Sequence, residues 1–284
     1  MAEELRSEVF AQGLLEGRVC IVSGAGTGLG KATARELCAL GATVVGCGRR
    51  EEPLEQMVAE LTDAGASAEG IPTDIRDEEA VATLVDGVLE RHGRIDLLVN
   101  NAGGQFLSSA EAISAKGFRT VIDLNVQGTW LMTHAVATKA FIPDGGGKVV
   151  SVTLSPHNGM PGMVHSGAAR AAVENMMRTL SIEWSRFQIK LVAVAAGQFD
   201  TETLRTKYPK EVSENVSRTV PLQRLGTEEE MAWLVAYLAS PAGDFFSGTT
   251  LTIDGARDNW FGPWPPGVYG DSGTLPAEER KPKQ

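Results

Sequence analysis

Residues Ser23-Gly24-Ala25-Gly26-Thr27-Gly28-Leu29-Gly30 leave a short apolar run and enter a helix-forming stretch at Lys31-Ala32. Glycines at this spacing let backbone N–H groups approach a pyrophosphate at the positive end of a helix. A plain strand-to-helix turn reads the same way, but its place on the first strand of a βαβ series favours dinucleotide binding. The second apolar run ends in Gly48-Arg49-Arg50, with no acid at its tip. A carboxylate there would accept from a free ribose 2′-hydroxyl and repel a 2′-phosphate, whereas a guanidinium pairs with that phosphate bidentately. The arginines therefore select NADP(H) over NAD(H), unless they are only solvated loop charges. In Pro72-Thr73-Asp74-Ile75, Asp74 stands where it can accept from the adenine amino group, with Ile75 beside it, or cap the following turn.

These residues need strands to hold them. Apolar runs near Val19–Ser23, Thr43–Gly48, Glu69–Thr73, Ile95–Asn100, Lys148–Thr153, Lys190–Ala195 and Thr250–Ile253 alternate with segments of helical period. Asp96-Leu97-Leu98-Val99 and Leu191-Val192-Ala193-Val194 lack polar alternation, as strands covered on both faces do. Right-handed crossovers then give a doubly wound parallel sheet. The expectation is a single α/β Rossmann domain with a seven-stranded parallel sheet over 17–257, an N-terminal arm over 1–16 and a Pro- and aromatic-rich extension over 258–284. Two segments escape the alternation: Thr201 to Val220, and the tail from Trp260, where Pro263, Pro265 and Pro266 forbid a long helix. Both are expected near the carboxyl ends of the strands, where ligands bind in such sheets.

Composition narrows the function classes. The 284 residues carry 26 Lys+Arg against 36 Asp+Glu, a net charge of -10, with no basic cluster to release counterions from nucleic acid. Cys20, Cys38 and Cys47 lie in apolar stretches without metal-type spacing, so they read as reduced core thiols of an intracellular protein, and no metal is expected. The first residues are acidic, and no apolar run approaches the roughly 20 residues a membrane span needs. Neither secretion nor membrane association is expected, and Lys281-Pro282-Lys283-Gln284 is not a peroxisomal address, so a cytoplasmic location follows.

Gly24-x-x-x-Gly28-x-Gly30, Asn100-Asn101-Ala102-Gly103 after the fourth strand, and Asn125 in Leu124-Asn125-Val126-x-Gly128 together resemble the short-chain dehydrogenase/reductase superfamily over essentially the whole chain. The resemblance implies that Asn100 and its neighbours line the adenosine side and brace the sheet. It also implies that Asn125 kinks its helix and holds a water in the proton relay. The superfamily's Ser with Tyr-x-x-x-Lys is missing: Arg170 stands at the lysine position and Ser166 or His165 at the tyrosine position. Three stretches, Gly103-Gly104-Gln105-Phe106-Leu107-Ser108, Glu111 to Gly117 and His165 to Arg170, resemble peroxisomal trans-2-enoyl-CoA and dienoyl-CoA reductases, as does Trp264-Pro265-Pro266-Gly267. The implied reaction is NADPH-dependent saturation of a C2=C3 bond in an acyl-CoA thioester.

Hydride delivery to a β-carbon leaves charge on the thioester oxygen, so the site needs donors there and a proton source for the α-carbon. It does not need a phenol to protonate a ketone. Candidate donors are Ser155, Ser166 and His165, with Asn125 and Arg170 completing the catalytic set. Each has a plainer reading. Ser166 can cap a helix beginning near Gly167, His165 can be a partly exposed junction residue, and Arg170 can pair with Glu174 at i, i+4. Arg170 can instead hold the nicotinamide ribose or a CoA phosphate; a guanidinium gives up its proton so reluctantly that it is a binder rather than an acid. Met160 and Met163 are expected to face ligand, and Met176 and Met177 to sit in the core or at a subunit contact. Gly197, Phe199 and Thr201 are expected along the nicotinamide and pyrophosphate, with Tyr208 exposed in a lid.

The partners implied are a small acyl-CoA-like substrate and other copies of the chain. The superfamily commonly forms tetramers through helices here at 116–141 and 167–186, with Trp130 or Trp184 fitting an interface or the core. Two other readings stay open: an NADP-dependent alcohol or hydroxyacyl dehydrogenase of terpenoid or fatty-acid breakdown, and a catalytically silent NADP-binding scaffold or sensor.

Overall fold

The computed structural model describes residues 5–155, 157–208, 210–213 and 215–260. The tail features read from sequence, Pro263, Trp264-Pro265-Pro266-Gly267 and Tyr269, lie outside the described residues. Seven strands, β1 (Val19–Ser23), β2 (Thr43–Gly48), β3 (Ala68–Pro72), β4 (Leu97–Asn100), β5 (Gly147–Leu154), β6 (Ile189–Ala196) and β7 (Thr250–Ile253), form one parallel sheet. Their order is β3-β2-β1-β4-β5-β6-β7. The direction of progression reverses between β1 and β4, so the exits of those two strands flank a crevice.

The helices are α1 (Gly28–Ala39), α2 (Glu51–Asp63), α3 (Glu78–His92), α4 (Ala115–Ile122), α5 (Gly128–Val136), α6 (Ile142–Asp144), α7 (Val164–Glu183), α8 (Glu202–Lys207), α9 (Lys210–Ser213) and α10 (Glu228–Ala239). Continuous apolar strands make sense here because alternate residues feed separate cores. Cys20, Val22 and Val99 pack with Leu37 of α1, Met57 of α2 and Val235 of α10 on one face. Ile21, Leu98 and Val149 pack with Leu84 of α3, Met132 of α5 and Met177 of α7 on the other. Each such side chain contributes about 1.5–3 kcal/mol through burial.

Local chemistry sets the helix ends. Asp77 accepts from the N–H groups of Glu79 and Ala80 at the start of α3, which stops at the left-handed Gly93. Thr227 and Glu230 form a reciprocal capping box on α10. Between α4 and α5 the helix widens into a π turn at Asp123–Gln127, the kink expected at Asn125.

Several expectations need correcting. Helix α7 begins at Val164, so Ser166 lies inside its first turn instead of capping it. Trp184 is buried against the core, whereas Trp130 is exposed and stacks beside His134. Met163 is buried, so only Met160 stays partly open. The three cysteines, by contrast, are free and buried as the sequence implied, and burial pushes the Cys38 and Cys47 thiols up to about 12.

Candidate functional site

The β1–α1 turn is built from approaches too close for side chains. Gly24 and Gly28 have φ of +69° and +56°, which only glycine adopts freely. A Cβ on Gly30 would stand 2.2 Å from the Gly24 carbonyl oxygen and 2.4 Å from Asn101 Nδ2. Asn101 donates through Nδ2 to the Ser23 carbonyl at 3.0 Å, and the Asn101 and Ala102 N–H groups donate to Ser23 Oγ at 3.1 and 3.0 Å. Asn100 donates to Thr133 Oγ1 at 2.9 Å and to Ser151 Oγ at 3.2 Å, bracing β4 against α5 and β5. The exits of β1 and β4 thus form one rigid floor.

A cleft of about 350 Å³ opens above it. The β1–α1 turn contributes Gly24, Gly26, Thr27, Gly28 and Leu29 to its lining; the β2 and β3 exits contribute Arg49, Arg50, Asp74 and Ile75. Asn101, Ala102 and Gly103 come from the β4 exit, and Thr201 from the segment after β6. Arg49 and Arg50 are exposed, with no ion-pair partner among the described residues. Asp74 caps the following turn, accepting from the Arg76 backbone N–H at 3.1 Å, and it also lines the cleft. The Arg76 guanidinium holds the Asp74 carboxyl below the usual range. Gly48, Pro53, Leu54, Thr73, Leu124 and Thr203 join the lining without a sequence signal. Pro53 is there because it packs on the turn: a Cβ at Gly26 would meet it at 2.8 Å.

Four expected cofactor residues do not line this cleft. Gly30 backs the turn, Gly197 is roofed by Asp254, whose Cβ stands 2.4 Å from a Gly197 Cβ position, and Phe199 is buried against Gly226. Arg170, half-buried, donates through Nη1 to the Val152 carbonyl at 2.9 Å and reaches toward Gly103. Burial draws its guanidinium down to about 10, still protonated at neutral pH. It makes no pair with Glu174, whose contacts run instead to His157, Thr153, Thr250 and Arg178.

The candidate donors are packed closely. His165 is fully buried instead of partly exposed, and its Nδ1 accepts the Ser166 N–H at 2.7 Å. In a neutral ring that assigns the proton to Nε2, which is buried with no partner, at a cost of about 1–3 kcal/mol. Phe106 stands edge-on to this imidazole, ring centroids 4.3 Å apart. Ser166 Oγ lies 3.5 Å from Gln105 Oε1, and Gln105 Nε2 donates to Tyr208 Oη at 3.1 Å. Tyr208 is therefore half-buried and tied to the site, one side chain away from Ser166. Asn125 is buried, with its amide engaged by both backbone groups of Gly104 and by the Val121 carbonyl.

Ser155 departs from expectation. It is fully buried and donates to the Asp254 carboxylate, which engages its hydroxyl proton. Gln105 and Asp254 were missed as polar site residues. Only their places, after Asn100-Asn101-Ala102-Gly103-Gly104 and at the exit of β7, could have signalled them. Among the described residues no cluster of His, Cys, Asp or Glu is arranged to hold a metal, and no helix is long and apolar enough to cross a membrane.

Comparison with known proteins agrees with this architecture. A family model described as enoyl-(acyl carrier protein) reductase matches residues 24–256. The peroxisomal 2,4-dienoyl-CoA reductase of Mus musculus is 35% identical over 251 residues, 87% of this chain and 86% of that protein. A probable 2,4-dienoyl-CoA reductase of Bacillus subtilis is 32% identical over 259 residues, covering 88% of this chain and all of the relative at 100%. The solved structure of a citronellol catabolism dehydrogenase, AtuB of Pseudomonas aeruginosa, superposes with a TM-score of 0.80 at 41% identity, covering 88% of this chain and 98% of that one. With its glycine turn, parallel sheet and Asn-Asn-Ala-Gly floor accounted for, the chain belongs to the short-chain dehydrogenase/reductase superfamily of oxidoreductases, a family built around a nicotinamide dinucleotide site.

Proposed function

We propose that this protein is an NADPH-dependent reductase of the C2=C3 double bond of acyl-CoA thioesters, of the trans-2-enoyl-CoA or 2,4-dienoyl-CoA type. The observation that carries it is Ser166 standing four residues before Arg170 on α7, where the superfamily has a phenol and an ammonium. The names of the dienoyl-CoA reductase relatives support the same reading. The dinucleotide fits the residues present: the glycine turn excludes any Cβ at Gly30, and unpaired Arg49 and Arg50 suit a 2′-phosphate. When bound, NADPH supplies the hydride.

The chain's own residues have two tasks. Charge building on the thioester oxygen needs preorganised donors, and in this reading Ser166 Oγ, beside the Gln105 amide, and the orphaned His165 Nε2–H supply them. Arg170 stays cationic at working pH, so it binds and orients by charge, and Asn125 holds the Gly104 backbone at the lip of that pocket. The α-carbon then takes a proton from solvent or from a hydroxyl of this group. Other copies of the chain complete the enzyme in this reading, as a homotetramer through α4, α5 and α7, whose exposed Trp130, Val164 and Ile182 suit an interface. In this reading the site serves a small molecule and not nucleic acid, and the protein works in the cytoplasm.

The test is incubation of purified protein with NADPH and a series from crotonyl-CoA to dodecenoyl-CoA, plus a 2,4-dienoyl-CoA, following nicotinamide absorbance. Consumption with any thioester is the expected result; none across the series sinks the proposal. Similarity to AtuB and the nearness of Tyr208 Oη favour a second reading, an NADP-dependent alcohol or hydroxyacyl dehydrogenase. Turnover of terpenoid or hydroxyacyl alcohols with NADP+, and none of enoyl thioesters, would select it. Tight NADPH binding with no turnover of any of these would select the silent scaffold.

A further inference from the structure

The exits of β5 and β7 hold a cluster that the proposed reduction does not use. His157, between β5 and α7, has Nδ1 against Asp258 Oδ2 at 2.5 Å and Nε2 against Glu174 Oε1 at 2.9 Å. With both acids ionised their oxygens only accept, so each contact calls for a protonated ring nitrogen, and the ring that satisfies both is an imidazolium. A neutral ring would turn a lone pair toward one of the two acids. Glu174 is 5% exposed, and its other cation, Arg178, is 3.7 Å away. Behind the Asp258 contact stand Asp254 and Arg257 of the same turn, with the Arg257 N–H on Asp254 Oδ1.

The contacts around His157 make a clasp. The His157 N–H donates to Asp258 Oδ1 at 2.6 Å, and Asn158 Nδ2 donates to the Asp258 carbonyl at 3.0 Å. Ser155 donates to Asp254, which also accepts the Asp258 N–H at 2.7 Å. Strands β5 and β7 are separated by β6, so the clasp passes over the end of β6. Gly197 permits that passage, because any Cβ there would overlap Asp254. Farther along the fastened segment, the Gly162 carbonyl accepts the Ser108 N–H at 3.0 Å, and the chain then enters α7 with His165 and Ser166.

We propose that His157 is a positioning residue: as an imidazolium it fastens the β5–α7 segment to Glu174 and to the turn after β7, fixing the acyl end of the site for substrate. The proposal rests on the reductase reading for its substrate, though not for the clasp itself. Burial opposes the charged ring, but Asp258 and Glu174 outweigh it and hold His157 above the ordinary imidazole range. The sign follows: the clasp is whole below the unfolded imidazole pKa and is lost as pH rises through the raised folded value.

Kinetics of the wild type, His157→Gln, His157→Lys and Asp258→Asn, from roughly pH 6 to 9, test it alongside hydrogen exchange of peptides over 157–165. Lysine keeps its charge across that window. The wild-type KM for the thioester is expected to rise about fivefold with pH at nearly constant kcat, as a charge-assisted contact is lost. His157→Gln should show the high KM at every pH, and His157→Lys should lower it and flatten the profile. Asp258→Asn, which removes one acid, should shift the wild-type step to lower pH. After correction for intrinsic rates, exchange in 157–165 should quicken over the same window in the wild type and not in His157→Lys. A His157→Gln profile that still steps like wild type, or wild-type exchange indifferent to pH, overturns the proposal. Should the wild type reduce no thioester, the reductase reading fails while the exchange experiment still decides the clasp.

Discussion

The two ends of the cleft are made differently. At the β1–β4 end, backbone does the work: glycines at 24, 28 and 30 and the Asn101 amide set a floor from residues close to the strand exits. At the β5–β7 end, side chains far apart in sequence converge, as Ser155 with Asp254 and Gln105 with Tyr208 do. The first arrangement is a general holder for a dinucleotide. The second depends on individual side chains, and it is where Ser166 and Arg170 stand at the superfamily's phenol and ammonium positions. If this division is right, substitutions at the first end change cofactor binding, and those at the second change turnover.

The sharpest attempt to break that contrast is Gly30→Val. Its side chain has no space against the Gly24 carbonyl, so NADPH affinity should fall by about 100-fold or more, or the fold should fail, given typical overpacking costs of about 1–3 kcal/mol. Fluorescence titration with a thermal melt reads both; unchanged affinity would refute the account of the floor. Next in size, Arg170→Met should lower kcat by about 100-fold, as losing one preorganised charge in an active site does, with NADPH binding little changed. A pure binding defect would place Arg170 at the cofactor end instead. Replacing Arg49 and Arg50 together by Ala should weaken NADPH by about 30-fold and leave NADH unaffected, a loss of about 2 kcal/mol or roughly one charged hydrogen bond, because both arginines are exposed and screened. Equal losses for both nucleotides would remove the argument for the 2′-phosphate. The smallest effect belongs to Tyr208→Phe, which under the reductase reading loses one neutral hydrogen bond and should cost about threefold. A loss of about 100-fold would mean the phenol is a catalytic acid, favouring the alcohol dehydrogenase reading.

Legibility followed the same division. The strands could be read because β1, β4 and most of β6 are covered on both faces and show unbroken apolar runs. Only the edge strands β3 and β7 are largely half-open. The turn glycines, Arg49, Arg50 and Asp74 were legible for a similar reason: their placement follows from being at strand exits. Ser155 was not, because the direction of its hydroxyl depends on Asp254, 99 residues away. The same holds for Glu174, which helical spacing pairs with Arg170 but which the fold turns toward His157. Gln105 and Tyr208 lie 103 residues apart, and nothing in either neighbourhood announces the other.

By itself the sequence determined a parallel α/β sheet, a glycine-rich turn at the first strand and the absence of the superfamily's phenol from α7. Those are consequences of residue type and near spacing: hydrophobic periodicity, glycine conformations and the fixed step of a helix. Only the tertiary structure decided which hydroxyls are tied up, that His165 carries an unpaired buried donor, and that His157 bridges two acids. Such outcomes depend on side chains brought together by strand order, and no local pattern encodes the direction in which a buried donor finds its acceptor.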